Sequence, residues 1–571
     1  MLKKSFAVLF VLLLSAAAFA GQDFSVADYG AKGDGKTDCT EAFQKALDAA
    51  FAIGGGNVFV PTGVYDVKGN LVIKSGVFLV GTYQAPPTER FDGKPDVPGQ
   101  GSLIHAYAGR NAPEGKPFIE LQGSNCGVKG VVVYYPENDY KNVPPVPYPP
   151  CIAGYVGDNQ NVIDCMLLNP YEGIKLVGVG RSYIRGVYGY PAKRGIYIDR
   201  CFDISRVENC HFWPFGNTGA SNPAWGAWIN KFGVAFEFAR TDWQYVSNCF
   251  CFGYGVGYKF SESDAGGCNG NFLGLGADSC AVGVKVESAQ APGLLFTNGE
   301  FVGRWGSHDS VGVEVLPSAK GKVSLMNCSF WGPLGWCVRN RGDNYLSVIG
   351  CHFENFGTSA ISAEGGAAVI QGNTFQAGPM HLVLDKGLKE AIVSGNTAAD
   401  RFVVDNRIGN KALMALNTID PASGLTKAQK DNYYVNVGLP GDEPYVTGVH
   451  GREKVKRWTS DKATLLLPVN KNKRVTVVIE LAELPADAVD GAAGVYLEGK
   501  KVASLAKPGK QTVSFTVDTG SRELIKPELR VKGWYSDTGD HRMLGAGVSK
   551  VTVTAGKGKP FCVNPEKKEA E

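Results

Sequence analysis

"NCSFWGPLGWCVRNRGDNYLSVIGCHF", Asn327 to Phe353, holds one short phrase twice, "NCSF" (Asn327 to Phe330) and "GCHF" (Gly350 to Phe353), 23 residues apart. Related phrases stand at "NCHF" (Asn209 to Phe212), "NCFCF" (Asn248 to Phe252) and "GNTF" (Gly372 to Phe375). Asn327, Gly350, Asn373 and Asn396 follow at steps of 23, as do Asn248 and Asn271. A fixed period of this length marks a repeat array. Between the landmarks apolar and polar residues alternate, as in "GVKVE" (Gly283 to Glu287) and "VGVEV" (Val311 to Val315). Alternation means strands with one buried face. Asn suits the corners because it tolerates left-handed backbone angles and bonds its own backbone. The expectation is an all-β parallel β-helix, with the recurrent Asn stacked as a ladder and the Phe after it in the core.

A solenoid has open ends that expose strand edges and core. "TDCTEAFQKALDAA" supplies a lid: Asp38 or Thr40 as N-cap, then Ala42, Phe43, Ala46, Leu47 and Ala50 on one helical face. "FSVADYGAKGDGKTDCTEAFQKALDAA" followed by "GGGNVFVPTGVY" closely resembles the start of the pectate-lyase superfamily. That group includes rhamnogalacturonase and epimerase-like β-helices and is related to the family-28 glycoside hydrolases. The resemblance covers about Phe24 to Asn417, and Cys39 stands where the family commonly has a second Asp. It implies a right-handed helix and often a polysaccharide substrate; it does not fix the reaction. The N-T-D, D-D, G-H-G and R-I-K motifs of the polygalacturonases do not occur in the chain. The Arg signatures of the pectate lyases are not recognised either, so no catalytic residue is carried over.

"MLKKSFAVLFVLLLSAAAFA" (residues 1–20) reads as a signal peptide cleaved after Ala20, which predicts a secreted or periplasmic protein with no membrane span after cleavage. The net charge of +3, without a basic block, gives no support for nucleic acid as a partner. The fourteen cysteines recur beside the corner landmarks. They are read as small core residues, with disulfides as the alternative and zinc disfavoured by the lack of paired C-x-x-C spacing. The predicted domains are the β-helix over 21–419, a linker over 420–432, an antiparallel β-sandwich over 433–556, read as stabilising or carbohydrate-binding, and a disordered tail over 557–571. Trp458, Trp534 and Tyr535 in the sandwich are assigned to core or interface packing, with a binding patch as the alternative. Nothing in the sequence fixes the oligomeric state.

The candidate site rests on the strands "GIKLV", "GIYID", "GVAFEF", "VGYKF", "VGVKVE" and "VGVEV", which should stack as one sheet. Alternation turns Lys175, Tyr197, Asp199, Glu237 and Lys259 outward, with Lys285, Glu287 and Glu314 further along. Two insertions, Tyr135 to Pro150 and Trp213 to Lys231, should wall this stripe. Trp213, Trp225, Trp228 and Trp243 are the candidate sugar platforms, since sugar rings pair apolar faces with polar edges. Glycoside hydrolysis needs two carboxyl groups: Asp199 and Glu237 are the expected pair, with Asp242 in reserve and Arg240 and Lys259 holding an anionic sugar. A hydrolase needs no cofactor. A lyase would take a proton beside a uronate carboxylate, using Lys or Arg as base, often with calcium neutralising that carboxylate. His211 and His352 sit at corner positions and are read as structural. Two functions remain open: an exported enzyme that cleaves a polysaccharide, and a non-catalytic glycan-binding or surface protein.

Overall fold

The computed structural model describes residues 23–82, 101–139, 141–214, 223–376, 378–399, 402–415, 417, 425–439, 441–453, 455–536, 542–556 and 558–564. The predicted signal peptide therefore lies outside the described residues. The chain divides into two compact units, 1–275 and 276–571.

In the first unit the described residues form three parallel sheets of nine, eight and seven strands, wound as a right-handed β-helix. One coil gives Arg206–Glu208 to the first sheet, His211–Phe212 to the second and Val234–Phe238 to the third. Each strand pairs in parallel with its counterpart one coil away, as Arg206 does with Tyr245 and Ile196 with Phe236. The unit begins with helix α1, Thr40–Ala52, whose Ala42, Phe43, Ala46, Leu47 and Ala50 are all buried. Cys39 occupies the N-cap position without a side-chain capping bond; its Sγ instead reaches Thr37 O at 3.2 Å. Asp38 acts one residue earlier, accepting from Thr40 N–H at 3.0 Å and Thr40 Oγ1 at 2.6 Å. Leu71–Lys74 is the last strand of the third sheet. Its outer edge is met by Gln44 of α1, which donates to Val72 O at 3.1 Å and accepts from Val72 N–H at 2.9 Å.

The second unit has the same architecture, in three parallel sheets of six described strands each. Its core holds a column of stacked rings, Phe330, Phe353 and Phe375, with centroids 5.0 and 4.9 Å apart. The unit ends in the expected antiparallel module. Ten strands share one sheet, and the core includes Val477, Ile479, Val551 and Val553. Trp458 is buried there, edge-on to Trp534 at 5.8 Å. Tyr535 reaches the β-helix, where its hydroxyl lies 2.9 Å from His308 Nδ1. Within the segment expected as a tail, Phe561–Cys562 pairs with Asn432–Asn436, and Asn564 is buried against Asn436, accepting its N–H at 2.9 Å; residues 565–571 lie outside the described residues.

The corners refine the repeat. A residue with left-handed φ stands between first and second sheets at Asp164, Gly186, Asn209 and Asn248 in the first unit, and at Asn298, Asn327, Gly350, Gly372 and Gly395 in the second. The next residue points inward. At seven of these nine corners it is Cys165, Cys210, Cys249, Cys328, Cys351, Asn373 or Asn396, all buried; after Gly186 it is Val187 and after Asn298 it is Gly299. The step from Gly350 to Asn373 therefore joins two different positions; the true corner is Gly372. Asn271 is likewise no corner, since it pairs with Tyr245 inside Cys268–Leu273 and the turn falls on Gly274. The asparagine ladder runs one place inward from the corners: Asn373 Nδ2 donates to Asn396 Oδ1, and Asn396 Nδ2 to Asn417 Oδ1, both at 2.9 Å. Where cysteine holds that place, its Sγ–H reaches the carbonyl two residues back, as from Cys165 to Ile163 at 3.2 Å and from Cys328 to Met326 at 3.4 Å. All fourteen cysteines are free thiols.

Candidate functional site

The third sheet of the first unit includes Glu172–Val177, Arg194–Asp199, Val234–Phe238 and Val256–Phe260. Lys175, Tyr197, Glu237 and Lys259 are register partners on four successive coils. Strands stack about 4.8 Å apart, so these side chains form one row. The row faces outward because the alternate positions fill the core: Ile196, Ile198, Phe236, Phe238, Tyr258 and Phe260 are inaccessible, and Phe236 stacks on Tyr258 at 4.9 Å.

Glu237 is the electrostatic centre. Its Oε1 lies 3.2 Å from Lys259 Nζ and its Oε2 3.2 Å from an Arg194 nitrogen, while Arg194 also reaches Glu172 Oε1 at 3.1 Å. The Arg194 guanidinium lies over the Tyr197 ring, 4.5 Å from its centroid. Glu237 is only 8% exposed, so its charge relies on these two cations for compensation. Burial raises the Tyr197 phenol well above its ordinary pKa, and the Asp199 and Glu237 carboxylates raise it further. Tyr197 is therefore held protonated between two carboxylates. Glu172 and Arg194 were missed by sequence reasoning. The signal was present in "EGI" (Glu172 to Ile174) and "RGI" (Arg194 to Ile196), opposite charges before the same Gly-Ile one coil apart.

Asp199 has a different task. Its Oδ1 accepts from Arg200 N–H at 2.8 Å, Arg240 N–H at 3.0 Å and Ser263 Oγ at 2.8 Å. It thus ties together the strand-end corners of three coils. Beside it, Arg240 forms a two-pronged ion pair with Asp242 and lies over the Phe202 ring at 5.4 Å. Asn269 donates to Asp242 at 3.3 Å and accepts from Trp243 N–H at 3.0 Å. Trp243 is 59% exposed. The ten expected residues thus separate. Tyr197, Glu237 and Lys259 share the row; Asp199, Arg240, Asp242 and Trp243 share the corner.

The other tryptophans correct the expected wall. Helix α2, Pro223–Phe232, forms within the second insertion, and Trp225 on it is fully buried, so its ring is unavailable to a ligand. Trp213 leaves the second sheet, not the third. It packs on Phe252 at 4.3 Å beside a cluster that includes Leu103, Met166 and Tyr188. Trp228 lies 6.3 Å from Tyr171, the residue before the Glu172 strand, so these two rings flank the site. Residues 215–222 of this insertion lie outside the described residues. The first insertion is a packed loop: Tyr135 and Tyr148 meet edge-on at 5.0 Å, and buried Asn138 binds Asn169 O and Val146 N–H, each at 2.8 Å. Among the described residues no group of three or more His, Cys, Asp or Glu side chains is placed to hold a metal ion. The row's central carboxylate already faces two cations, so these residues do not by themselves assemble the six to eight oxygens that calcium takes.

Residues 24–120 match the family model described as rhamnogalacturonase A/epimerase, pectate lyase-like. Alginate lyase 7 of Azotobacter vinelandii is 52% identical over 66 residues, which are 10% of this chain and 8% of that one. Mannuronan C5-epimerase AlgE5 of the same organism is 36% identical over 117 residues, 19% of this chain and 12% of the relative. The chain thus spans about a tenth of the length of these relatives. The solved A-module of A. vinelandii mannuronan C-5 epimerase AlgE6 aligns with 66% of this chain and all of the module, at 17% identity and a TM-score of 0.48. The row and its corner lie beyond the matched family segment. Through the cap and first coils of residues 24–120, the chain is thus similar to the rhamnogalacturonase A/epimerase, pectate lyase-like family.

Proposed function

We propose that the chain is an exported polysaccharide-cleaving protein whose uronate-containing substrate lies along the outer face of the third sheet of the first unit. The observation that carries this reading is the row Tyr197–Glu237–Lys259 with Arg194 over the phenol. The alginate-acting relatives support the class of substrate, and the leader-like residues 1–20 support export.

The geometry favours elimination over two-carboxylate hydrolysis. Asp199 holds the corner through three donors, which leaves Glu237 as the carboxylate of the row. A uronate carboxylate placed against Arg194 and Lys259 competes with Glu237 for its cations and frees it to act as base. Glu237 then removes the proton on the carbon beside the uronate carboxyl. The electron pair left behind forms a C=C bond as the glycosidic C–O bond breaks. Tyr197, held protonated, donates its proton to the departing oxygen. No metal enters these steps; a cation on this face would draw its oxygens mainly from the substrate.

A second reading is a glycan-binding protein without turnover. It is favoured by Glu237 being already paired with two cations at 3.2 Å. The test is incubation of the mature chain with neutral and uronate-containing polysaccharides, with and without calcium. Reducing ends together with ultraviolet absorbance indicate elimination. Reducing ends alone indicate hydrolysis and return Asp199 and Glu237 to the role of a pair. Binding without either signal leaves the second reading.

A further inference from the structure

A second face lies on the first sheet of the second unit. The strands Val323–Met326, Tyr345–Ile349, Gly366–Gln371, Leu388–Ser394 and Ala412–Ala415 lie side by side there. Their register aligns Tyr345, Ala367 and Glu390 on three successive coils, and Lys322 and Lys411 stand one residue before the strands on either side, Val323–Met326 and Ala412–Ala415. A concavity of about 510 Å³ opens over this row. Its floor is low because Ala367 is small, and Ile392 and Leu413 line the side.

Three features separate this face from an ordinary solvated sheet. Tyr345 is 68% exposed, and Leu413 and Ile392 are also among the exposed large apolar residues. Lys322, Glu390 and Lys411 form no side-chain ion pair or hydrogen bond among the described residues. Their neighbours Lys389 and Asp343 do pair, at 2.6 Å. The two lysines end the row, four coil steps or about 19 Å apart, with net positive charge between them.

We infer that this concavity is a second glycan-binding face, selective for an acidic polysaccharide chain lying across the coils. Tyr345 stacks on the apolar face of one sugar ring, and the ring beyond it settles over Ala367. Lys322 and Lys411 each take a carboxylate along the chain, and Glu390 accepts from a hydroxyl. The coil spacing is close to the length of one pyranose residue, so successive units meet successive coils. This face shares with the proposed catalytic row only the class of ligand. A tether of this kind keeps a polymer at the protein between encounters with another site.

The test is binding of size-defined oligouronates and a neutral oligosaccharide of equal length to the full mature chain. Glu237→Gln serves as background to prevent turnover. Thermal melts of each variant establish that the fold is kept. Lys322→Ala with Lys411→Ala should weaken oligouronate binding by about tenfold or more, as expected for two lost charge-assisted bonds. Tyr345→Ala should weaken it by a similar factor, and the affinity should fall with salt. Loss of binding in these variants, with retention in Arg194→Ala, supports this face and removes the row. Loss only in Arg194→Ala removes this face and supports the row. Equal affinity for the neutral oligosaccharide, or no oligouronate binding at all, overturns the inference.

Discussion

Lys259 places its ammonium 3.2 Å from the Glu237 carboxylate, one coil along the third sheet. Arg194 holds the other oxygen of the same carboxylate. On the proposed mechanism Glu237 is the base and the two cations hold substrate. Glu237→Gln should lower kcat by at least about 100-fold with little change in oligouronate affinity. Lys259→Ala should act mainly on KM. Steady-state kinetics followed by the ultraviolet absorbance of the unsaturated product would read both; unchanged kcat in Glu237→Gln rules out its role as base.

Asp199 separates structural from catalytic use by a simple contrast. Asn keeps the Oδ1 acceptor that serves Arg200, Arg240 and Ser263, whereas Ala removes it. Asp199→Ala should lose about 1–3 kcal/mol of stability, the cost of stranded buried donors, and Asp199→Asn much less. Turnover should survive in Asp199→Asn. If it is abolished while the melt is unchanged, Asp199 belongs to the chemistry and the hydrolase pair is restored.

Thirteen of the fourteen cysteines are buried and Cys562 is partly exposed. Burial raises the Cys165 and Cys268 thiols to about 12, so they are poor nucleophiles at neutral pH. A colorimetric thiol reagent should therefore find at most about one fast-reacting group in the native protein and the full set after denaturation. Fewer thiols in the denatured, unreduced protein would mean that disulfides form after all.

His308 joins the coils of the second unit to Tyr535 of the C-terminal module and stacks on its ring at 5.9 Å. Burial lowers the pKa of His308, so the folded protein favours the neutral ring. The unfolded chain binds a proton more readily, near the ordinary value of about 6.5. The stabilisation is thus present above that pH and is lost as pH falls through the window below it. The melting temperature of the wild-type protein should drop on going from pH 7 to pH 5. His308→Gln should flatten that slope, and an equal slope in both proteins would exclude His308 as its source.

Much of the helix was legible because its period and its alternation are both local patterns. The inward Phe column and the outward row Tyr197–Glu237–Lys259 follow from alternation alone. What escaped depends on contacts between coils. Asp199 points outward, yet three donors from different corners close over it. Trp225 is expected as a sugar platform in the second insertion, but that insertion forms a ten-residue helix that turns the ring inward. The 23-residue count passed from Gly350 to Asn373 because asparagine replaces cysteine at the inward position, and composition cannot separate adjacent places in a corner. The strand Phe561–Cys562 was hidden in a charged tail because two residues carry no period at all.

The paired bonds between Gln44 and Val72 bear on how long this solenoid is allowed to be. A stack of like coils carries no internal instruction to stop, and a bare terminal coil is a template for another molecule's terminal coil. A side-chain amide offers one donor and one acceptor, the same offer a further strand would make, but it has no far side on which growth could continue. Gln44 therefore works as a stop at this edge of the third sheet: it occupies the Val72 donor and acceptor that a further strand would need.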